Sequence, residues 1–390
     1  MSGDIKNFFN PKTIAVIGAS DNPNKVGNIL IKKLNNFKGK VIPINPNHKK
    51  IENKITYPNV LKYKRKINLA IIAIPAKLVN NALVECGKKK IQSVIIISAG
   101  FKETGNTKLE NQILKTAKKY NIRILGPNCF GIANPYLKLD TTFSNTSPQA
   151  GTTAFISQSG ALWSYISDFN FKFSGFASLG NMSDLSFADF IEYFNKDKKT
   201  KKIILYIEKL KHGKKFIEAC QKSKKQIIVV KAGQTKQGSQ AAISHTGSLA
   251  TDYAIYKGAF KQAKVKVCNS LAEAFGMKKQ NLKLKKKKAQ IITNAGGAAA
   301  LLTDELTKQG IKVQVKDLLG TALAKDYEKE IKKSKGKLII ILTPQKMSEP
   351  EKTSKILSKN SIACFLGNKS ISKAVKILKQ KNIKYYTKCC

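Results

Sequence analysis

Short apolar runs alternate with amphipathic stretches along the whole of this 390-residue chain, and this pattern narrows its fold to one class. Runs such as "TIAVIGAS", "INLAIIAIP" and "SVIIISAGF" are apolar at nearly every position. Strands of this kind are typical of parallel sheets that carry helices on both faces. The stretches between them have the period of helices. The sequence therefore predicts a parallel α/β fold.

The alternation divides into three units, each of which begins with a strand and a turn rich in small residues. The second unit begins at "TTAFISQSGALWSYI", and the third begins at "AQIITNAGGAAALLTDEL", after the lysine run "KLKKKK". We predict three domains with the boundaries 1–145, 146–285 and 286–390. The polar segment 133–151 is predicted to be a linker or a long loop.

The charge of the chain first suggests a nucleic-acid-binding protein. Its 71 basic and 24 acidic residues give a net charge of +47. Only Arg65 and Arg123 are arginines, although arginine is the preferred residue for bidentate contacts with phosphates and bases. The lysines are spread over the polar sides of the helical patterns. We therefore expect no specific nucleic-acid partner, only salt-sensitive binding to polyanions.

The remaining composition indicates the compartment. No apolar run approaches the roughly 20 residues of a membrane span. The start "MSGDIKNFFNPKTIAVIGAS" lacks the pattern of a signal peptide. The seven cysteines form no CxxC pair and no Cys/His metal spacing. We expect a cytoplasmic protein with free thiols, no bound metal and no membrane partner.

Ligands of open parallel sheets bind at the carboxyl ends of the strands, where helix N-termini present N–H groups. In the first unit these ends carry small and polar residues. Gly18 allows a tight turn, and Ser20 and Lys25 follow it within reach of phosphate groups. The turn is not GxGxxG, and no acidic residue is placed for a ribose diol after the second strand, so we expect no nicotinamide cofactor. A nucleotide-type ligand is predicted; the alternative is a plain strand-to-helix turn.

The second unit has a similar strand end in "ISQSGAL", which contains Gln158, Ser159 and Gly160. On one interpretation Ser159 only caps the helix that follows. On the other, the N–H groups of Ser159 and Gly160 form an anion site, helped by the serine hydroxyl.

His245 is one of three histidines in the chain and lies in "KAGQTKQGSQAAISHTGSLATD". This stretch is predicted to be a loop of small and polar residues that leads into a helix near Ser248. A histidine there has little packing to do, and imidazole accepts phosphoryl groups near neutral pH. Glu208, which closes the apolar strand "IILYIE", is suited to orient the ring. His245 is thus either a phosphoryl-carrying nucleophile or a plain loop histidine.

Eight motifs of this chain resemble, in order, those of the α subunits of ADP-forming acetate–CoA ligases. They are "TIAVIGAS", "VIPINP", "SAGF", "LGPNCFGIANP", "AFISQSGAL", "LYIE", "VVKAG" and "SHTGSLA". These ligases are acyl-CoA synthetases that form nucleoside diphosphates, as succinyl-CoA synthetase does. The resemblance covers essentially the whole chain. It implies an α/β protein with an N-terminal Rossmann-like CoA-binding domain followed by two flavodoxin-like parallel α/β domains.

The resemblance also implies a chemistry. Acyl-CoA and phosphate give an acyl phosphate and CoA, and the acyl phosphate then phosphorylates His245. Glu208 is implied as the stabilising carboxylate, and Gln158, Ser159 and Gly160 as the phosphate cradle. The implied contacts of CoA are Gly18, Ser20, Lys25, Pro75, Ser98 and Asn128.

We expect this chain to lack the nucleotide-grasping (ATP-grasp) domain, which in this family supplies the sites for ADP, ATP and Mg²⁺. The resemblance therefore implies a separate β subunit, in a heterotetramer of two α and two β chains, and a small carboxylic acid such as acetate as substrate. The third unit departs from the family pattern: it is shorter before "GKLII", and "NAGGAAA" replaces a Gly-Pro-Gly continuation. The alternatives are a succinyl-CoA synthetase α subunit and a non-catalytic CoA-binding regulatory protein.

Overall fold

A computed structural model describes residues 5–246, 252–334 and 336–390, with the backbone alone for residues 243–246. The first unit holds a five-stranded parallel sheet in the order β2-β1-β5-β6-β7, with a small hairpin, β3 and β4, beside it. The strands are β1 Thr13–Ile17, β2 Lys40–Ile44, β3 Lys50–Ile51, β4 Lys54–Ile55, β5 Leu69–Ile72, β6 Ser93–Ile96 and β7 Arg123–Leu125. The helices are α1 Lys6–Phe9, α2 Val26–Lys33, α3 Ala76–Lys88 and α4 Thr107–Lys119.

The second unit is built on a seven-stranded sheet in the order β14-β13-β12-β10-β11-β8-β9. Its strands are β8 Ile132–Asn134, β9 Leu139–Asp140, β10 Gln149–Ser157, β11 Lys172–Ser178, β12 Lys202–Ile207, β13 Gln226–Lys231 and β14 Lys266–Cys268. Its helices are α5 Ala161–Ser167, α6 Phe187–Lys196, α7 Gly213–Gln221, α8 Lys236–Thr246, α9 Tyr253–Gln262 and α10 Leu271–Ala274. Strands β10 to β14 are parallel, whereas β8 and β9 pair antiparallel at one edge.

The prediction that 133–151 is a linker was wrong. This segment contains most of β8, all of β9 and the start of β10, and β8 pairs with β11. Its polar residues suggested an exposed segment, but two of them, Thr141 and Thr142, are buried. The Thr141 hydroxyl bonds to the backbone of Ile132, and that of Thr142 donates to Asp140. Buried polar groups satisfied in this way do not mark an exposed loop.

The third unit has a five-stranded parallel sheet in the order β16-β15-β17-β18-β19. Its strands are β15 Lys288–Thr293, β16 Lys312–Asp317, β17 Leu338–Leu342, β18 Ser361–Phe365 and β19 Lys384–Tyr386. Its helices are α11 Gly296–Lys308, α12 Ala324–Lys333, α13 Pro350–Ile356 and α14 Ser372–Gln380. Counted within the unit, this order is the 2-1-3-4-5 order of flavodoxin-like sheets. The predicted parallel α/β fold is confirmed.

The three units share one apolar core, which includes Val16 of the first sheet, Phe155 of the second and Ile291 of the third. Helix α11 lies at the centre of this arrangement, because it packs on its own sheet and also against α8 and α5 of the second unit. Nearly all of its residues from Gly296 to Leu306 are buried. In the described part of the chain, no helix has the length and apolar character needed to cross a membrane.

Candidate functional site

The turn after β1 brings two backbone segments into close contact. Gly18 has a φ of +89°, and a Cβ atom on it would lie 2.4 Å from the carbonyl oxygen of Ala73, after β5. The Ser20 hydroxyl is buried and accepts a hydrogen bond from the Asn22 N–H at 3.1 Å. Lys25 is exposed and immediately precedes α2. Only glycine fits the position of Gly18 without displacing backbone.

The other predicted CoA contacts of the first unit lie at the same edge of its sheet. The Ser98 hydroxyl donates to the Ile74 carbonyl oxygen at 2.5 Å, and the Asn128 N–H donates to the Ser98 carbonyl oxygen at 3.0 Å. Asn128 has a φ of 55°. Pro75 is exposed and immediately precedes α3. These bonds join the loops after β5, β6 and β7, so the structure brings Pro75, Ser98 and Asn128 together.

Alanine at Gly18 is expected to lower the free energy of unfolding much more than alanine at Gly105. Gly105 has a nearly identical φ of +88°, but nothing lies within 4 Å of a Cβ atom there. Gly105→Ala should therefore cost only the backbone strain, about 1–2 kcal/mol. Gly18→Ala adds the conflict with Ala73 and should cost more than about 3 kcal/mol. Urea unfolding of both variants measures the difference, and equal losses would contradict this explanation.

At the edge of the second sheet, Gln158 connects the ends of β10 and β12. Its side-chain oxygen accepts from the backbone N–H groups of Glu208 at 2.6 Å and Lys209 at 2.8 Å. Ser159 is buried, and Gly160, rather than Ser159, is the N-cap residue of α5, with no side-chain capping bond. Both interpretations of Ser159, as a capping residue and as part of an anion site, stay predictions. Gln158, Ser159 and Gly160 do lie together, beside the start of α5.

The third unit closes over this edge, which the sequence analysis did not predict. A Cβ atom on Gly297, in the first turn of α11, would lie 2.6 Å from Ser159 Cβ and 2.8 Å from the Tyr206 hydroxyl. The glycine pair at the start of α11 thus allows this helix to lie directly on the ends of β10 and β12. The contact lies within "NAGGAAA", the stretch noted above because it replaces a Gly-Pro-Gly continuation.

Glu208 is 6% exposed, and its Oε1 lies 3.1 Å from the Tyr206 hydroxyl. That hydroxyl is also 3.0 Å from the carbonyl oxygen of Gly297, so its single proton is shared between two acceptors. Burial, reinforced by the nearby Glu208 carboxylate, raises the pKa of Tyr206 well above its usual value. The hydroxyl therefore remains a donor and holds the carboxylate in place.

Lys231 is a residue of this site that the sequence analysis missed. It closes β13, is 2% exposed and pairs in the sheet with Ile207, the neighbour of Glu208. Its ammonium group donates to the Ala232 carbonyl oxygen and lies 4.4 Å from the centre of the Tyr256 ring. Burial lowers the pKa of Lys231 to about 8, against the opposing effect of the Asp304 and Glu208 carboxylates. The signal was present, since a lysine that ends an apolar strand is unusual, but the abundance of lysine concealed it.

The lowered pKa of Lys231 predicts that the free energy of unfolding rises between pH 8 and pH 10. In this range the unfolded chain keeps a proton that the folded chain has lost, because the ordinary lysine value is 10.5. Raising the pH then removes protons mainly from the unfolded state, which favours the folded one, by at most about 3 kcal/mol. Urea unfolding of wild type and Lys231→Met from pH 7.5 to 10 measures this effect. Parallel pH profiles of the two proteins would contradict it.

His245 was predicted to lie on a loop, and this was wrong for the backbone. Residues 236–246 form α8, and His245 is in its last turn. The small residues that suggested a loop instead allow close packing: a Cβ atom on Gly238 would lie 2.0 Å from Asp304 Oδ1 in α11. The side chain of His245 and the predicted helix start near Ser248 lie outside the described residues. The next described helix, α9, begins at Tyr253 with Asp252 as its cap.

Comparisons with known proteins agree with this architecture. Residues 12–135 match the family model of a CoA binding domain, and residues 150–280 match that of a succinyl-CoA ligase-like flavodoxin domain. The α subunit of acetate–CoA ligase [ADP-forming] II of Pyrococcus furiosus is 45% identical over 78% of this chain and 69% of its own length. Acetate–CoA ligase [ADP-forming] I of Archaeoglobus fulgidus is 35% identical over 97% of this chain and 61% of its own length.

A solved structure extends the likeness to almost the full length. The acetyl-coenzyme A synthetase 1 of Ca. Korarchaeum cryptofilum, in complex with phosphate and ADP, superimposes with a TM-score of 0.68 at 31% sequence identity. The match covers 99% of this chain and 94% of that chain. The predicted order of a CoA-binding domain followed by a flavodoxin-like domain is confirmed, as is the family resemblance. The chain belongs to the family of ADP-forming acetate–CoA ligases.

Proposed function

We propose that this chain is the α subunit of an ADP-forming acyl-CoA synthetase that acts on acetate or a similar small acid. It converts acyl-CoA, ADP and phosphate into the acid, ATP and CoA. The observation that carries the proposal is the buried Glu208 carboxylate. It is held by Tyr206 at the end of β12, in the domain that also contains the His245-bearing helix α8.

In the first step phosphate reacts with the thioester of acyl-CoA, between the edges of the first and second sheets. An oxygen of phosphate attacks the thioester carbonyl, the carbon–sulfur bond breaks, and the CoA sulfur leaves and takes up a proton. The edge of the first sheet, with Gly18, Ser20, Lys25, Pro75, Ser98 and Asn128, holds CoA. Support comes from the joined loops at this edge and from the CoA binding domain that residues 12–135 match.

In the second step a ring nitrogen of His245 attacks the phosphorus of the acyl phosphate. The bond from phosphorus to the acyl oxygen breaks, and the acid leaves as a carboxylate. Glu208 orients the imidazole and stabilises the positive charge that develops on it. Gln158, Ser159 and Gly160 cradle the phosphate, and the ammonium group of Lys231 balances negative charge nearby.

In the third step an oxygen of ADP attacks the phosphorus of the phosphohistidine, the bond from phosphorus to the His245 nitrogen breaks, and ATP forms. We place ADP, ATP and Mg²⁺ on a nucleotide-grasping β subunit, in a heterotetramer of two α and two β chains. The P. furiosus relative named as an α subunit supports this division. The matched part of the chain spans 61% of the length of the A. fulgidus relative.

The test is phosphoenzyme formation. The chain is co-purified with the nucleotide-grasping subunit from the same genome and given radiolabelled ATP with Mg²⁺. Label on this chain that is labile in acid and stable in alkali indicates phosphohistidine. Absence of label, with CoA still bound, would overturn the proposal in favour of a CoA-binding regulatory protein. Activity with succinate but not with acetate would favour a succinyl-CoA synthetase.

A further inference from the structure

Asp304, in helix α11 of the third unit, forms an unusually complete contact with the second unit. It is 4% exposed. Its Oδ2 accepts from the N–H groups of Gly233 at 2.8 Å and Gln234 at 3.0 Å. Its Oδ1 accepts from both the N–H and the hydroxyl of Thr235, at 2.8 and 2.9 Å. One buried carboxylate thus satisfies three consecutive backbone donors.

These donors immediately precede α8, the helix that carries His245. The Thr235 hydroxyl in turn accepts from the Gly238 N–H at 3.0 Å. Asp304 therefore satisfies the three N–H groups that lead into α8. Thr235 satisfies that of Gly238 in the first turn, which has no partner within the helix. The negative charge is also favourable there, since a helix N-terminus carries a partial positive charge.

Further contacts tie the first turn of α8, and the residues just before it, to the third unit. The Gln237 side-chain oxygen accepts from the Val313 N–H at 2.9 Å, and Lys308 Nζ donates to the Gln234 side chain at 2.7 Å. The third unit thus fixes the start of α8 by both charge and position.

Because α8 is a helix, the direction that is fixed at its start determines the position of its other end. His245 is ten residues beyond Thr235, or about 15 Å along a helix. A tilt of about 10° at the start of the helix would displace its end by roughly 2.6 Å at this helical rise. A displacement of even about 1 Å is enough to slow a reaction about 100-fold.

We propose that Asp304 is a positioning residue for phosphoryl transfer: it fixes the direction of α8 and so places His245 at the site of Glu208. The inference rests on the function proposed above. It gives the third unit a part in the chemistry, through a residue that is not among those proposed to bind CoA or phosphate.

The test compares Asp304→Asn with Asp168→Asn. Asp168 is 3% exposed and also joins the second and third units, accepting from Asn368 N–H at 2.6 Å and from Ser370 N–H and hydroxyl at 3.0 and 2.6 Å. The contacts of Asp168 lie at a different place from α8. Both variants should shift the urea midpoint similarly. Only Asp304→Asn should slow phosphoenzyme formation at least tenfold, with CoA affinity unchanged.

A second variant, Gly238→Ala, disturbs the contact between Asp304 and α8 from the side of the helix. It keeps the Asp304 charge but displaces the carboxylate from α8. It should reproduce the slow phosphorylation. In addition, amide hydrogen exchange in residues 236–242 should be faster in Asp304→Asn and Gly238→Ala, and unchanged in Asp168→Asn.

The outcomes separate the two proposals. If wild type acquires label and Asp304→Asn is labelled at the wild-type rate, the positioning role is wrong while the proposed function stands. If phosphoenzyme formation is slowed equally in Asp304→Asn and Asp168→Asn, the positioning role is also wrong, and Asp304 only joins the two units. If wild type acquires no label, the proposed function fails and the inference fails with it, whatever the exchange pattern.

Discussion

A His245→Asn variant, co-purified with the nucleotide-grasping subunit, is expected to acquire no acid-labile label from radiolabelled ATP. An amide nitrogen is not a phosphoryl acceptor, so the variant lacks the nucleophile. Formation of ATP from acyl-CoA should fall by at least about 1000-fold, as is typical when a nucleophile is removed. CoA affinity should stay within about twofold of wild type, because the residues proposed to bind CoA belong to another sheet.

The chain offers a matched control in His212→Asn. His212 is exposed and has a φ of 55°, a backbone conformation that asparagine adopts more readily than most residues. This variant loses an imidazole elsewhere in the same domain and should be labelled like wild type. Label retained in His245→Asn would place the phosphoryl group on another residue. Loss of CoA binding as well would indicate a folding defect instead.

The strands could be predicted because burial of both sheet faces leaves a direct trace in the sequence. Apolar runs without alternation, such as β1 and β5, occur where helices cover both sides. The residues that interrupt such a run at its carboxyl end are equally visible. Gly18 and Glu208 were found in this way, and the structure places both at sheet edges.

Helix α8 could not be predicted because its small residues serve its close packing against α11 of the third unit. The stretch has no apolar stripe, and its glycine and serines weaken the helical preference that its alanines provide. Its glycine is explained by Asp304, whose carboxylate lies where a side chain of residue 238 would be. The residues next to Gly238 in the sequence give no indication of that contact.

Asp304 and Lys231 were missed for a related reason. In "LLTDELTK" the aspartate resembles a solvated residue on the polar side of a helix, yet it is buried against Gly233 and Thr235 of another domain. Lys231 ends an apolar strand, but the abundance of lysine in the chain conceals this signal until its burial is seen. Charged residues become informative when tertiary structure shows which of them are buried, since burial of an unpaired charge is costly.

Glu208→Gln is expected to lower the yield of phosphoenzyme about 10- to 100-fold while leaving CoA affinity unchanged. Glutamine keeps the volume of the side chain but has no negative charge to stabilise a positively charged imidazole. The measurement is the amount of acid-labile label at equilibrium and its rate of transfer to ADP. Unchanged yield and lifetime would show that this carboxylate does not serve the histidine.

Tyr206→Phe should give a smaller decrease in the same direction, because it removes the hydroxyl that lies 3.1 Å from Glu208 Oε1. Its matched control is Tyr327→Phe, since the buried Tyr327 hydroxyl donates to the Ile341 carbonyl oxygen at 2.9 Å within the third unit. Both variants lose one buried hydroxyl, so their unfolding free energies should fall comparably, by about 1 kcal/mol. Only Tyr206→Phe releases the carboxylate, so only this variant should lower the yield. A loss that is equal in both would mean that stability, rather than the orientation of Glu208, limits phosphorylation.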